Sequence, residues 1–204
     1  YDDLKRIDFW DNQFFSGLDG VVLYSMIRAI KPAYYLEIGS GFSTMFAHRA
    51  IMDENLNTRI ISIDPQPRAE IEELCFEVIK APFEFVDIND LVKLNAMDIF
   101  FIDGSHRVFQ NSDVVAFMFD IMPRLKSGVI VQVHDICLPW DYPVDWKMRF
   151  YSEQYMLGAW LMGGHKGWDI IMPNAYMTGH NRVPEKLKEF GNFGGSFWMK
   201  KRTV

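Results

Sequence analysis

The chain has 204 residues, with 21 Lys and Arg against 27 Asp and Glu, so its formal net charge is −6. Its 49% hydrophobic and 24% charged residues exclude a disordered or fibrous protein, and one domain of this length builds a full core without disulfides. The acidic balance argues against nucleic acid as a partner, and the apolar runs are too short for a transmembrane helix. We therefore expect a single cytoplasmic domain over residues 1–204, with no nucleic acid or membrane partner and with Cys75 and Cys137 as free thiols.

An alternation of helices and strands is the main pattern along the chain. An N-terminal helical segment, residues 1–32, contains an apolar helix from Leu18 to Ile30 that ends before Pro32. Strands alternating with helices predict crossover connections and a mainly parallel sheet covered on both faces, which is an α/β, Rossmann-like, doubly wound fold. The apolar runs that predict its seven strands are Ala33–Ile38, Arg59–Ile63, Phe76–Ile79, Ile99–Ile102, Val129–Val133, Trp168–Met172 and Phe197–Lys200.

The second half of the chain adds two helices and two long connections. N-caps at residues 111–113 predict a helix that Pro123 kinks or ends, and the helix over Tyr151–Met162 carries a stripe typical of core or of a homodimer contact. Residues 137–150 and 173–196 are predicted substrate-side loops, the alternative being surface elaboration.

A glycine turn follows the first strand directly. Gly39 and Gly41 permit a tight bend and leave room for a ligand against the backbone, while the next helix points free N–H groups at it. The third glycine of a dinucleotide fingerprint would stand at Thr44. In addition, Glu37 would face a pyrophosphate unfavourably but suits a cation. The turn therefore argues against a dinucleotide.

A second carboxylate ends the second strand, at Asp64. An acid at this place accepts hydrogen bonds from ribose hydroxyls. Together, Glu37 and Asp64 indicate a ligand with a ribose and a positive group but no phosphate, and S-adenosylmethionine fits this description.

These motifs resemble the class I S-adenosylmethionine-dependent methyltransferases. The first family motif, acid-x-Gly-x-Gly, is matched by Glu37, Gly39 and Gly41, and the second by Asp64. The similarity is closest to a bacterial subgroup, methyltransferase domain family 24, which acts on sugars and other small molecules; its later motifs are matched by residues 101–106 and by Leu125–Ile130, with Val129 at the usual second glycine. The resemblance implies an antiparallel last strand. It also implies that the cofactor is bound by Glu37, Gly39, Ser40, Gly41, Ser43, Asp64 and Asp103.

Three potential ligands follow the fourth and fifth strands. Asp103 ends the fourth strand, and His134 and Asp135 end the fifth, so their side chains converge if these strands are neighbours, as the family topology implies. The arrangement is similar to that of metal-dependent O-methyltransferases, which indicates a site for Mg²⁺ or another divalent cation. In the alternative, the two carboxylates position the acceptor, and His134 is only a hydrogen-bonded neighbour.

His106 stands three residues after Asp103, about where catechol-type enzymes have a catalytic lysine. Methyl transfer to a hydroxyl requires loss of a proton, and an imidazole suits that task. We assign catalysis to His106 and Asp103, and we expect methyl transfer to a sugar or secondary-metabolite hydroxyl. The alternatives are an NAD(P)-dependent oxidoreductase and a cofactor-binding protein without turnover.

Overall fold

A computed structural model describes residues 1–67, 69–87 and 93–202, and it contains one seven-stranded sheet of order β3-β2-β1-β4-β5-β7-β6. All seven predicted strands are present, with ends within one residue of those expected from the sequence. The strands are β1 (Tyr34–Ile38), β2 (Arg59–Ile63), β3 (Glu77–Ile79), β4 (Ile99–Ile102), β5 (Ile130–Val133), β6 (Trp168–Pro173) and β7 (Phe197–Lys201).

Strand direction follows the α/β pattern. Strands β1 to β5 pair in parallel, and β7 runs antiparallel to both β5 and β6. The predicted doubly wound fold with an antiparallel last strand is therefore confirmed. All side chains of β4 and β5 are buried, as expected for central strands with helices on both faces.

Alternate residues of β4 divide the core between the two faces of the sheet. Phe101 packs in a cluster with Tyr24 and Phe46, whereas Phe100 faces the opposite cluster around Phe117 and Val131. The first cluster includes helix α1 (Gly17–Ile30), which ends before Lys31 as predicted, and helix α2 (Phe42–Asp53).

The later helices are less regular than their sequence pattern suggests. Helix α3 (Asp113–Val115) is capped by Ser112, whose Oγ accepts from the Val115 N–H, and it continues as a π-helical segment, Ala116–Ile121, before Pro123. Helix α4 spans Glu153–Met162 and α5 spans Asn174–Gly179. In the described residues, 3₁₀ segments lie at Leu4–Arg6, Phe83–Phe85, Val144–Arg149 and Glu185–Phe190.

Within the described part of the chain, no helix combines the length and apolar character needed to cross a membrane. Cys75 and Cys137 are free, the first partly buried and the second buried.

Candidate functional site

The predicted site residues gather where the parallel strands end. Backbone bonds extend the ladder past the strands, because the Asp103 N–H donates to the Ile38 carbonyl and the His134 N–H donates to the Ile102 carbonyl. A cleft of about 1280 Å³ opens at this edge, and Gly39, Ser40, Asp64, Asp103, His106, His134 and Asp135 line it. This is the edge at which open α/β sheets bind ligands.

The glycine turn is fixed by close backbone contacts. Gly39 has a φ of 78°, and a Cβ there would meet the Asp103 carbonyl oxygen at 2.0 Å. Gly41 has a φ of 145°, and nothing lies within 4 Å of the place its Cβ would take. One glycine therefore lets two strands approach each other, and the other leaves a gap beside the turn.

Asp64 joins the end of β2 to this turn. Its Oδ2 accepts hydrogen bonds from the Ser40 N–H at 2.9 Å and the Ser40 hydroxyl at 2.7 Å, and its Oδ1 accepts from the Gln66 N–H at 2.8 Å. A carboxylate has about four acceptor positions. Three are used, so Asp64 retains capacity for one hydroxyl of a ligand in the cleft.

Glu37 lies beneath the turn and is fully buried. It accepts hydrogen bonds from the Thr44 hydroxyl and, at 3.2 Å each, from the Tyr35 and Ser43 hydroxyls. Burial raises its pKa to about 8, against the opposing effect of these hydroxyls. Glu37, Gly41 and Ser43 do not line the cleft, so their contact with a cofactor stays a prediction.

His106 lies between carboxylates on both sides of its ring. Its Nε2 is 3.1 Å from Asp103 Oδ1 and 3.6 Å from Asp135 Oδ2, and its Nδ1 is 2.9 Å from Glu153 Oε2. The backbone φ of 57° places the ring there, and the His106 carbonyl accepts from the N–H groups of Ser152 and Glu153. The start of α4 thus fixes the predicted base.

His134 occupies the neighbouring position on β5. Its Nδ1 lies 3.1 Å from the same Asp103 oxygen, and its Nε2 lies 3.4 Å from Asp19 Oδ2. Asp19 comes from the first turn of α1 and also accepts from the N–H groups of Gly195 and Ser196 and from the Asn174 amide. This carboxylate therefore ties α1 to α5 and to the start of β7 beside the site.

Four carboxylates and two imidazoles share this small volume. Burial lowers the pKa of both histidines, but the facing carboxylates outweigh it and raise both values well above the usual range. For Asp103, burial raises the pKa, but the two histidines have the larger and opposite effect, so its pKa lies well below the usual range. Burial raises the pKa values of Asp135 and Glu153. The facing charges therefore favour the protonated form of both imidazoles beside the Asp103 carboxylate.

The structure does not support the predicted divalent cation on Asp103, His134 and Asp135. These residues do converge, but the described residues include no group of three or more His, Cys, Asp or Glu side chains arranged to hold a metal ion. In this structure these side chains pair with one another instead, since His134 Nδ1 and His106 Nε2 each lie 3.1 Å from Asp103 Oδ1.

Two residues of this cluster, Asp19 and Glu153, do not stand out in the sequence. Each is a carboxylate in the first turn of a helix, where acids are common for the helix dipole alone. Their burial beside a histidine depends on contacts between distant segments. The sequence gives only a weak indication of their role, namely that each is an acidic residue among the apolar residues of a helix.

The predicted substrate-side loops contribute unequally to the cleft. From residues 137–150, the side chains of Trp146, Met148 and Arg149 line it, and from residues 173–196 Phe193 does. Trp140 instead packs against His180, with ring centroids 5.4 Å apart.

Comparison with known proteins agrees with this geometry. Residues 36–136 match the sequence profile of a family described as "Methyltransferase domain". No curated protein matches the chain significantly. Among solved structures, cofactor-bound Rv0187 from MTB is similar at 19% identity and a TM-score of 0.57, over 100% of this chain and 89% of that one.

Two further solved structures share the fold. The SAH-bound methyltransferase PaMTH1 of Podospora anserina is 18% identical with a TM-score of 0.56, over 91% of this chain and 79% of that one. The O-methyltransferase of Bacillus cereus in complex with SAH is 15% identical with a TM-score of 0.54, over 98% and 86%.

Proposed function

Because this chain belongs to the methyltransferase-domain family of the class I fold, we propose that it transfers the methyl group of S-adenosylmethionine to a hydroxyl oxygen of a small acceptor of the sugar or secondary-metabolite type. One observation carries the proposal. A single cleft contains both the glycine turn, which is held by Asp64, and a buried cluster of carboxylates and histidines. The Asp64 carboxylate can accept a hydrogen bond from a ribose hydroxyl.

The cofactor end of the cleft is the turn over Gly39–Gly41. Gly39 and Ser40 present the turn to the cleft, where the nucleoside lies against them, and Asp64 accepts a ribose hydroxyl with its remaining lone pair. The similar proteins bound to SAH hold a nucleoside of this class, which supports the assignment. Glu37 supports the turn from below through the hydroxyls of the first turn of α2.

The reacting end is the carboxylate–histidine cluster. The sulfonium of the cofactor is a cation, and the carboxylates of Asp103 and Asp135 favour its presence there. In the transfer step, the bond between sulfur and methyl carbon breaks as the acceptor oxygen bonds to that carbon, and the hydroxyl proton passes to His106 Nε2. The products are the methyl ether, uncharged sulfur and an imidazolium.

His106 can accept the hydroxyl proton only as a neutral imidazole, so the proposed step requires that cofactor binding favours loss of the proton that the ring carries. In the ligand-free site, the carboxylates keep the imidazole protonated. A sulfonium placed among the same carboxylates is a like charge, which lowers the pKa of the ring. Binding of the cofactor thus favours the neutral imidazole that the reaction requires.

Calorimetry tests the cofactor assignment. We expect S-adenosylhomocysteine to bind and NADH not to bind, and we expect Asp64→Asn to weaken S-adenosylhomocysteine at least tenfold. The exposed Asp169→Asn is the matched control, since Asp169 lies on the far edge strand, where it pairs with Arg202. Absence of S-adenosylhomocysteine binding to folded wild-type protein would end the proposal.

Turnover is followed with methyl-labelled cofactor and hydroxyl-bearing acceptors. His106→Gln is expected to lower the rate and to leave the affinity for S-adenosylhomocysteine unchanged, because the ring acts on the acceptor proton and the sulfur of this product carries no charge. Parallel assays with a chelator and with added Mg²⁺ or Mn²⁺ test cation assistance, and a rate that depended on the cation would restore the sequence-based hypothesis.

A further inference from the structure

Two arginines stand at the mouth of an otherwise acidic cleft. Arg107 and Arg149 are the only lysine or arginine side chains among the described residues that line it, and both are exposed. Neither guanidinium makes an ion pair with a carboxylate anywhere in residues 1–67, 69–87 or 93–202. Their charges are therefore available to a ligand.

Local contacts orient both guanidinium groups. The Arg107 Nε–H donates to the Arg149 carbonyl at 2.9 Å, which leaves its terminal nitrogens free of that bond. The Arg149 guanidinium lies 4.2 Å from the Trp146 ring centroid and 5.6 Å from that of Tyr151. Stacking on aromatic rings holds an arginine in place without using its hydrogen-bond donors.

Arg149 lies within the reach of a small molecule from the proposed base. The Tyr151 ring centroid is 4.5 Å from that of His106 and 5.6 Å from the Arg149 guanidinium. The guanidinium is therefore no farther from the imidazole than these two distances combined, which is the span of a molecule of one or two rings.

Apolar side chains cover the remainder of the mouth. Phe109, Met148 and Phe193 line the cleft although each is at least half exposed. Exposed apolar side chains around a cleft mark a surface that a ligand covers.

The charge arrangement orients a ligand. Asp103, Asp135 and Asp19 are at the floor, and the guanidinium groups are at the mouth. An anionic substituent is repelled by the floor and attracted by the mouth, so it points outward while a neutral hydroxyl of the same molecule points inward.

Building on the proposed methyl transfer, we propose that the acceptor carries an anionic group, carboxylate or phosphate, which Arg107 and Arg149 bind while the rings of Trp146 and Tyr151 pack against its apolar body. A planar guanidinium pairs with either anion through two parallel hydrogen bonds. The two arginines thereby select the acceptor and set the orientation of its hydroxyl.

Matched acceptor series test this inference. One series is catechol, 3,4-dihydroxybenzoate and 3,4-dihydroxyphenyl phosphate, and the other is glucose, glucuronate and glucose 6-phosphate. For each compound, the Kd for protein loaded with S-adenosylhomocysteine and the kcat/KM for label transfer are measured. We expect at least one anionic member to exceed its neutral parent tenfold, and the preferred member distinguishes carboxylate from phosphate.

Variants then locate the effect. Arg149→Gln and Arg107→Gln are each expected to weaken the preferred anion about tenfold, while the affinities for the neutral parent and for S-adenosylhomocysteine stay unchanged. Arg182→Gln is the control, because Arg182 is also an exposed arginine over an aromatic ring, 5.1 Å from Tyr176, but it lies outside the cleft.

The outcomes separate the two proposals. If S-adenosylhomocysteine binds but no anionic compound binds or reacts better than its parent, the arginine assignment is overturned and methyl transfer stands. If an anion is preferred but both arginine variants keep the preference, the assignment is likewise wrong. If S-adenosylhomocysteine itself does not bind, the proposed function fails first.

Discussion

Glu153 Oε2 lies 2.9 Å from His106 Nδ1, and the backbone N–H of Glu153 donates to the carbonyl of the same histidine. One residue at the start of α4 thus fixes both the ring and the backbone of the proposed base. The carboxylate also raises the pKa of His106. Glu153 is therefore a positioning residue in the proposed mechanism, since it acts through His106.

Replacing Glu153 by Gln is expected to shift the pH profile of the reaction. The rate should rise with pH as His106 loses its proton, and removal of the negative charge lowers the pKa of that ring. Opposite charges at this distance move a pKa by about 1–3 units, so the rise should begin at lower pH by about one unit or more. We also expect the plateau kcat to fall about tenfold.

The exposed Glu185→Gln serves as the control for this profile. A merely structural role for Glu153 would lower activity equally at every pH. An unchanged midpoint would contradict the proposed coupling.

Gly39→Ala is expected to lower the free energy of unfolding by more than the strain of a positive φ alone would cause, because the new Cβ would also clash with a neighbouring strand. The added Cβ would meet the Asp103 carbonyl at 2.0 Å, whereas at Gly167 a similar φ of 82° has nothing within 4 Å. Gly167→Ala should cost about 1 kcal/mol of unfolding free energy, and Gly39→Ala about 1–3 kcal/mol more. Urea unfolding measures both, and equal losses would show that β1 and β4 separate easily.

Asp19→Asn is expected to lower the free energy of unfolding by about 3 kcal/mol. The carboxylate accepts from two backbone N–H groups and one amide while facing His134, so an amide nitrogen in its place would oppose a donor and leave the imidazolium unpaired. The exposed pair of Asp169 and Arg202 offers the comparison, where Asp169→Asn should cost less than about 1 kcal/mol. Similar losses in the two variants would argue against a central role for Asp19.

Glu37 should make stability fall as the pH rises. Its folded-state pKa of about 8 exceeds its ordinary value of 4.5, so the folded protein retains a proton that the unfolded chain releases between these values. Stability is then lost at up to about 1.4 kcal/mol per pH unit until the pH passes the folded value. Glu37→Gln removes this titration, and the difference between variant and wild type should grow from pH 5 to pH 8. The exposed Glu77→Gln should follow the wild type, and parallel curves for all three proteins would refute the buried titration.

The fold was predictable because its strands are short runs in which apolar residues predominate, although buried polar residues such as Glu37 and Gln132 interrupt them. Runs such as Ile99–Ile102 have no other low-energy place than the centre of a covered sheet, and glycine turns mark their ends. The π-helical segment Ala116–Ile121 was not predictable, since its residues carry the same apolar spacing as a regular helix. Helix α5 was also missed, because Asn174 is held by the distant Asp19.

Site residues were predictable from the sequence only where they come directly after a strand. Asp64 and Asp103 are in the cleft for that reason. The carboxylates on α1 and α4 reach the cluster through tertiary packing, and they add to the effect of Asp103 in raising the pKa values of both histidines. The metal site expected on Asp103, His134 and Asp135 stays a prediction, and the sequence pattern did not indicate that Asp19 and Glu153 also face these histidines.

Strand β7 is inserted between β5 and β6, so the order of synthesis conflicts with the order in space. A nascent chain that has emerged through β6 has no neighbour against which that strand can pair, and the Ile136 N–H still lacks the Gly195 carbonyl. The sheet can be completed only after β7 has left the ribosome tunnel. Translation arrest or proteolysis just before this point would therefore yield a long fragment with two exposed strand edges, which is a substrate for chaperones and prone to aggregation.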